Sequence, residues 1–311
     1  MTTCRSGQPH PRHMTPDDLK EAWDLISVGL NAVRATVNRP PLPQRKAMLT
    51  LLEHLLATGP ESCWCLEGEG RLEGLCLAAP RGKQWFLSHF WMRPDAKNRG
   101  RGWPLLRQVW AQGQAAGHTL CLTHASPDPT AHALYTRLGM SPRWPTYKLE
   151  ASTAAAAQLA DGTRLSVRPF AADDLPKVAQ ELQRLDLMVR GADRPADHRF
   201  WLRSLGARAA LVHHPRNGEA IGYWYACPES GILGPITCLQ PALLPQMVGL
   251  AAQALADMSP AVCLYAPTPP LAPVMRRLLR AGFRIALFNV LFASGSLPRP
   301  GSYVPSGPDL W

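Results

Sequence analysis

The chain has 311 residues, 46% of them hydrophobic and 18% charged, and its 33 Lys plus Arg against 23 Asp plus Glu leave a formal charge of +10. That apolar share excludes a disordered chain, no run of about 20 apolar residues marks a membrane helix, and no block of five or six basic residues marks a nucleic-acid tail. The opening MTTCRSGQPHPRH lacks the apolar core of a signal peptide, so a cytoplasmic protein of two domains, without a membrane or nucleic-acid partner, is expected.

In chain order, strand formers are scarce over Thr3–His13, so any first strand there is short or frayed. The acidic pair Asp17-Asp18 ahead of an apolar-periodic stretch opens a helix over about Pro16–Val28, and a second helix is expected over about Gln44–Thr58. Three strands follow at Cys63–Leu66, Leu72–Ala79 and Trp85–Met92, separated by turn signals. Next come a helix at about Gly102–Ala116, a strand at His118–His124, a helix at Thr130–Leu138 and a strand at Thr146–Glu150. Mixed helices and strands in this order argue for an α/β (α+β, mixed-sheet) fold.

The chain then repeats itself. Asp17-Asp18-Leu19 returns as Asp173-Asp174-Leu175, and the strand at Leu72–Ala78 as Ala220–Ala226. Trp91-Met92-Arg93-Pro94 is echoed by Leu239-Gln240-Pro241, and Leu138-Gly139-Met140 by Ala281-Gly282-Phe283. Order is kept while the offset shrinks from 156 to 143, as two copies with loop deletions require. The expected division is a first domain over 1–150, a linker or short helix over 151–163, a second domain over 164–295 and a Pro-rich tail over 296–311.

Eight cysteines in a chain of this length do not suggest a disulfide framework, and neither the Cys63/Cys65 pair nor the adjacent His213 and His214 has metal-ligand spacing. Free core thiols and no metal are expected.

The stretch Pro94–Leu106 joins a strand end to a helix start through a basic, Gly-bearing loop. Free N–H groups and the positive helix end suit a phosphate there. Gly100 and Gly102 permit close approach, while Lys97, Arg99 and Arg101 add charge. It is not a Walker loop, because Trp103 follows Gly102, nor a GxGxxG fingerprint, because position 105 is Leu.

With Phe90-Trp91-Met92-Arg93-Pro94, Lys97-Asn98-Arg99-Gly100-Arg101-Gly102 and Ala131-His132-Ala133-Leu134-Tyr135-Thr136-Arg137-Leu138-Gly139-Met140, the first copy resembles the GCN5-related N-acetyltransferases, or GNAT family, over roughly Pro16–Leu149. Lys97, Met140 and Asp128 depart from the usual residues. The resemblance implies two tandem GNAT-like domains and acetyl transfer from acetyl-CoA to an amine. It places the diphosphate on the amides of Asn98–Trp103 and pairs the cofactor arm with Trp91, Met92 and Arg93. Asp128 stands where many members have Asn.

The same resemblance gives Tyr135 to the departing thiolate, against its simple packing on the sheet. For the base, His89 has a suitable intrinsic range, and Glu73 could act directly or through a water; each also has an ordinary structural reading as a sheet residue. In the second copy, Leu244 and Met247 replace Lys97 and Gly100, and Leu278 replaces Tyr135. A degenerate copy that keeps the fold without turnover is expected. The readings weighed against an N-acyltransferase are a non-catalytic acyl-CoA-binding or regulatory module and, from the charge alone, a nucleic-acid-associated protein.

Overall fold

The acidic pairs begin their helices by the same device in both copies. The Asp18 carboxylate accepts the Thr15 N–H at 2.7 Å, and the Asp174 carboxylate accepts the Ala171 N–H at 3.2 Å. Each satisfies a donor that a helix start otherwise leaves free. The structure, a computed structural model, describes residues 9–42, 46–97 and 99–311. Its elements are β1 (His10–His13), α1 (Leu19–Ala35), α2 (Lys46–Thr58), β2 (Cys63–Gly68), β3 (Arg71–Arg81), β4 (Gln84–Met92), α3 (Gly102–Ala115), β5 (Leu120–Ala125), α4 (Pro129–Arg137) and β6 (Ser141–Ser152). After α5 (Thr153–Ala157) the same succession returns as β7 (Ser166–Pro169), α6 (Leu175–Val189), α7 (Pro195–Arg203), β8 (Arg208–His213), β9 (Ala220–Ala226), β10 (Leu233–Cys238), α8 (Leu244–Gln253), β11 (Ala261–Pro267), α9 (Ala272–Arg280) and β12 (Arg284–Ala293), and β13 (Tyr303–Val304) closes the chain.

Among the described residues the first strand spans His10–His13, which pair with Trp64–Glu67 of β2, and the part of the expectation at Thr3–Gln8 lies outside the described residues. The last strand of the first copy is longer than expected. Pro142 and Pro145 mask its start in the sequence; both lie opposite β12, while the β11 ladder begins only at Thr146.

The strands form two sheets, ordered β1-β2-β3-β4-β5-β12-β6-β11 and β13-β10-β9-β8-β7. The order of the larger one runs through the boundary expected at 151–163. β12, last strand of the second copy, lies between β5 and β6 of the first, and β6 lies between β12 and β11 of the second. Each copy therefore lends its last strand to the other.

Pairing opposes residues that share a face. One face of the first-copy sheet, carrying Cys65, Leu75, Leu77 and Phe86, packs on α1 and α2 through Trp23, Ile26, Leu52 and Leu55. The other, carrying Trp64, Cys76, Ala78 and Leu87, packs on Leu105, Leu106 and Val109 of α3 and Tyr135 of α4. The seven described cysteines are free and buried. Among the described residues no group of three His, Cys, Asp or Glu could hold a metal ion, and no helix is long and apolar enough to cross a membrane.

Candidate active site

β4 and β5 run parallel only over Gln84–Leu87 and Leu120–Thr123, where the Thr123 hydroxyl donates to the Leu87 carbonyl at 2.9 Å. Beyond Leu87 the two strands separate. On the β3 side, Leu77 opposes His89 while Ala78 opposes Leu87, so Ser88 is an extra residue, a bulge. The bulge resets the alternation. His89 and Trp91 share the α1/α2 face, where Trp91 presses against Gly29 of α1, whereas Phe90 and Met92 take the α3 face under Gly102. The gap between β4 and β5 thus joins two faces of one sheet.

On the α3 face, the helix begins at Gly102 with no acidic residue in its first turn and no side-chain cap. Gly100 has φ +73°, a conformation that favours glycine, and open space stands where its side chain would be. An anion fits this start, because uncapped N–H groups and the helix dipole both favour it. The three loop cations are not equivalent. Arg101 binds Glu73 at 2.5 Å and Lys97 lies 3.4 Å from Asp128, while Arg99 is exposed. Asn98 lies outside the described residues. Trp103 stacks under the Arg137 guanidinium, 4.1 Å away. The Arg93 N–H is used by the Glu73 carbonyl at 2.8 Å, and its side chain reaches Asp95 at 3.3 Å. Asp128 caps α4, accepting the Thr130 N–H at 2.8 Å; burial opposes its ionisation, but the Thr130 and Ala131 amides and Lys97 hold its carboxyl below the usual range.

Tyr135 is buried on the same face, with its ring 5.7 Å from that of Phe292 on the exchanged strand β12. Burial pushes its phenol far above the ordinary tyrosine value, so the hydroxyl keeps its proton at neutral pH and can donate it.

Neither residue considered as a base is a free carboxylate or an exposed imidazole. The buried Glu73 is held by Arg101. His89 is 2% exposed, its Nε2 has no hydrogen-bond partner among the described residues, and burial lowers its pKa to about 4. The structure instead brings a residue from the far end of the chain. The Asp309 carboxylate stands 3.9 Å from His89 Nε2, and the Ser88 hydroxyl donates to the Asp309 main-chain oxygen at 2.6 Å. No local pattern signals this, because Ser88 and Asp309 are 221 positions apart.

The matching place in the second copy is filled. β13 pairs with Ile236 and Thr237 of β10, next to the edge that corresponds to Trp91–Arg93. The start of α8 buries Leu244, Pro245 and Met247, and a side chain at Gly249 would collide with the backbone of Ala160. Leu278, in the position of Tyr135, is fully buried.

A family model described as acetyltransferase (GNAT) family matches residues 31–140. No curated protein matches by sequence. Among solved structures, a candidate acetyltransferase from Pyrococcus horikoshii is similar over 100% of this chain and 98% of its own, at 15% identity and TM-score 0.76. A tandem GNAT protein from the clavulanic acid biosynthesis pathway is similar over 93% and 99%, at 14% identity and TM-score 0.60. A GCN5-related N-acetyltransferase from Sphaerobacter thermophilus is similar over 94% and 96%, at 16% and 0.60. At these identities the solved structures establish the fold alone, a tandem GNAT fold with mixed sheets.

Proposed function

On the premise that this chain belongs to the GNAT acetyltransferases through its segment 31–140, a family that uses acyl-CoA, we propose that it is an acetyl-CoA-dependent N-acyltransferase acting on an amine, with its one reaction centre in the first copy. The observation that carries this reading is the β4–β5 gap, which has an anion-accepting helix start and Tyr135 on one face of the sheet and Asp309 and His89 on the other. The diphosphate lies on the amides at the start of α3 with Arg99 beside it. The acyl arm lies along the edge of β4 left free beyond Leu87, like an added strand. The thioester faces the gap, and Tyr135 gives its proton to the departing thiolate. Lys97 and Arg101 shape the loop through Asp128 and Glu73 and reach the phosphates only by exchanging those partners.

The second copy lacks all three provisions, since β13 takes the strand edge, the helix start is apolar and Leu278 has no hydroxyl. It serves as scaffold and as a wall of the acceptor site. A non-catalytic acyl-CoA-binding module is the second reading, favoured by the burial of His89 and the engagement of Glu73.

Titration calorimetry with acetyl-CoA is expected to give one site per chain, weakened by Arg99→Ala. Release of CoA thiol with an amine panel is expected to show turnover, with Tyr135→Phe lowering kcat by about 100-fold at little change in acetyl-CoA affinity. Binding at two equivalent sites would sink the one-centre reading; tight binding without turnover on any amine would favour the module.

A further inference from the structure

A cavity of about 220 Å³ opens on the α1/α2 face, walled by Met48 and Leu51 of α2, by Phe200 and Trp201 of α7 and by the chain end at Ser306–Leu310. Its lining is mostly apolar. Among the described residues that line it, the acidic side chains are Glu229 and Asp309, and none is a lysine, arginine or histidine. Asp309 closes the end of this cavity next to β4, where its carboxylate is 3.9 Å from His89 Nε2 and its main chain is tied to the bulge residue Ser88. A mostly apolar cavity with carboxyl groups at its walls favours a cation with an apolar body.

We propose that Asp309 is the residue that binds and deprotonates the acceptor, and that the acceptor is an apolar primary amine housed in this cavity. The assignment rests on the acetyltransferase reading above and adds the substrate class and the base. Asp309 takes one proton from the ammonium, and the freed lone pair attacks the thioester carbonyl through the gap. The N–C bond forms, the C–S bond breaks, and the second amine proton leaves with the thiolate by way of the Tyr135 hydroxyl. The products are an amide, free CoA thiol and one proton that Asp309 returns to water.

Burial raises the Asp309 carboxyl to about 7, which suits a base working near neutrality. The titratable groups facing it are His89 of β4 and Tyr265 of β11, with Glu229 across the cavity and His124 of β5 beside Trp311. His89 and His124 are both lowered to about 4 by burial, so neither titrates near 7.

The test uses the full chain, acetyl-CoA and four amines: hexylamine, 2-phenylethylamine, glucosamine and glutamate. The two apolar amines are expected to react with kcat/KM at least about tenfold above the polar ones, and Asp309→Asn to lose about 100-fold or more while acetyl-CoA affinity is kept. The acid limb of the pH profile near 7 should vanish in Asp309→Asn, and Asp309→Glu, which restores a carboxylate, should regain part of the rate. If Asp309→Asn keeps the wild-type rate and pH limb, the assignment is overturned and the acetyltransferase reading stands. Preference for glucosamine or glutamate overturns the amine class. Absence of acetyl-CoA binding overturns both the assignment and the reading beneath it.

Discussion

Asp186→Asn is expected to lower the unfolding free energy by about 3–5 kcal/mol, the cost of leaving a buried charge without its partner. Asp186 on α6 is fully buried. Arg194 Nε reaches it at 3.3 Å and His198 Nε2 at 2.9 Å, and the Tyr223 hydroxyl donates to it. Arg194, also fully buried, has Asp186 as its only described ion-pair partner, and its remaining N–H groups go to the hydroxyls of Tyr223 and Tyr303, each at 2.7 Å, and to the Trp311 oxygen at 3.1 Å. An Asn side chain keeps the shape and loses the countercharge.

Burial alone would raise the Asp186 carboxyl, but Arg194, His198 and Arg190 outweigh it and hold it well below the usual range. Between that depressed value and the ordinary one near about 4, the unfolded chain binds more protons than the native one. The contribution is therefore complete above the ordinary carboxylate range and lost as pH falls below it. Urea unfolding at pH 7 and at pH 3 checks this: the gap between wild type and variant should narrow in acid. An unchanged midpoint at pH 7 would refute the argument. The same cluster holds Trp311, since Arg190 donates to its main-chain oxygen at 2.6 Å, so the single variant should also lower the activity proposed for Asp309.

The second large effect concerns the exchanged strands. Residues 1–161, cut at the exposed turn Asp161-Gly162 and expressed alone, are expected to yield no cooperatively folding monomer. Co-expression with 162–311 should give a one-to-one complex that binds acetyl-CoA. Without β12 the first half loses the strand between β5 and β6, exposing two ladders of N–H and C=O groups and uncovering the core that Leu291, Phe292 and Ala293 fill. Phe292 also packs on Tyr135, so the proposed reaction centre would lose a wall. A sharp unfolding transition from monomeric 1–161 would show that the exchange is dispensable.

Much of the local structure was legible in the chain. The acidic pairs start their helices through a side-chain carboxylate three residues from the amide it accepts, and such short-range bonds leave a readable pattern. The Gly-bearing loop after β4 and the strands around it were legible for the same reason. His89 and Glu73 were less so, because burial and the Arg101 pairing come from packing, not from spacing.

By itself, the sequence determined the succession of elements, their duplication, the basic Gly-bearing loop after β4 and its apolar counterpart in the second copy; each depends on residues a few positions apart. Only the tertiary structure decided which strand fills the place between β5 and β6, because an alternating strand pairs equally well with its own copy's neighbour or with the other copy's. It alone set Asp309 beside the β4 bulge, since two residues 221 positions apart meet only when the whole chain has packed.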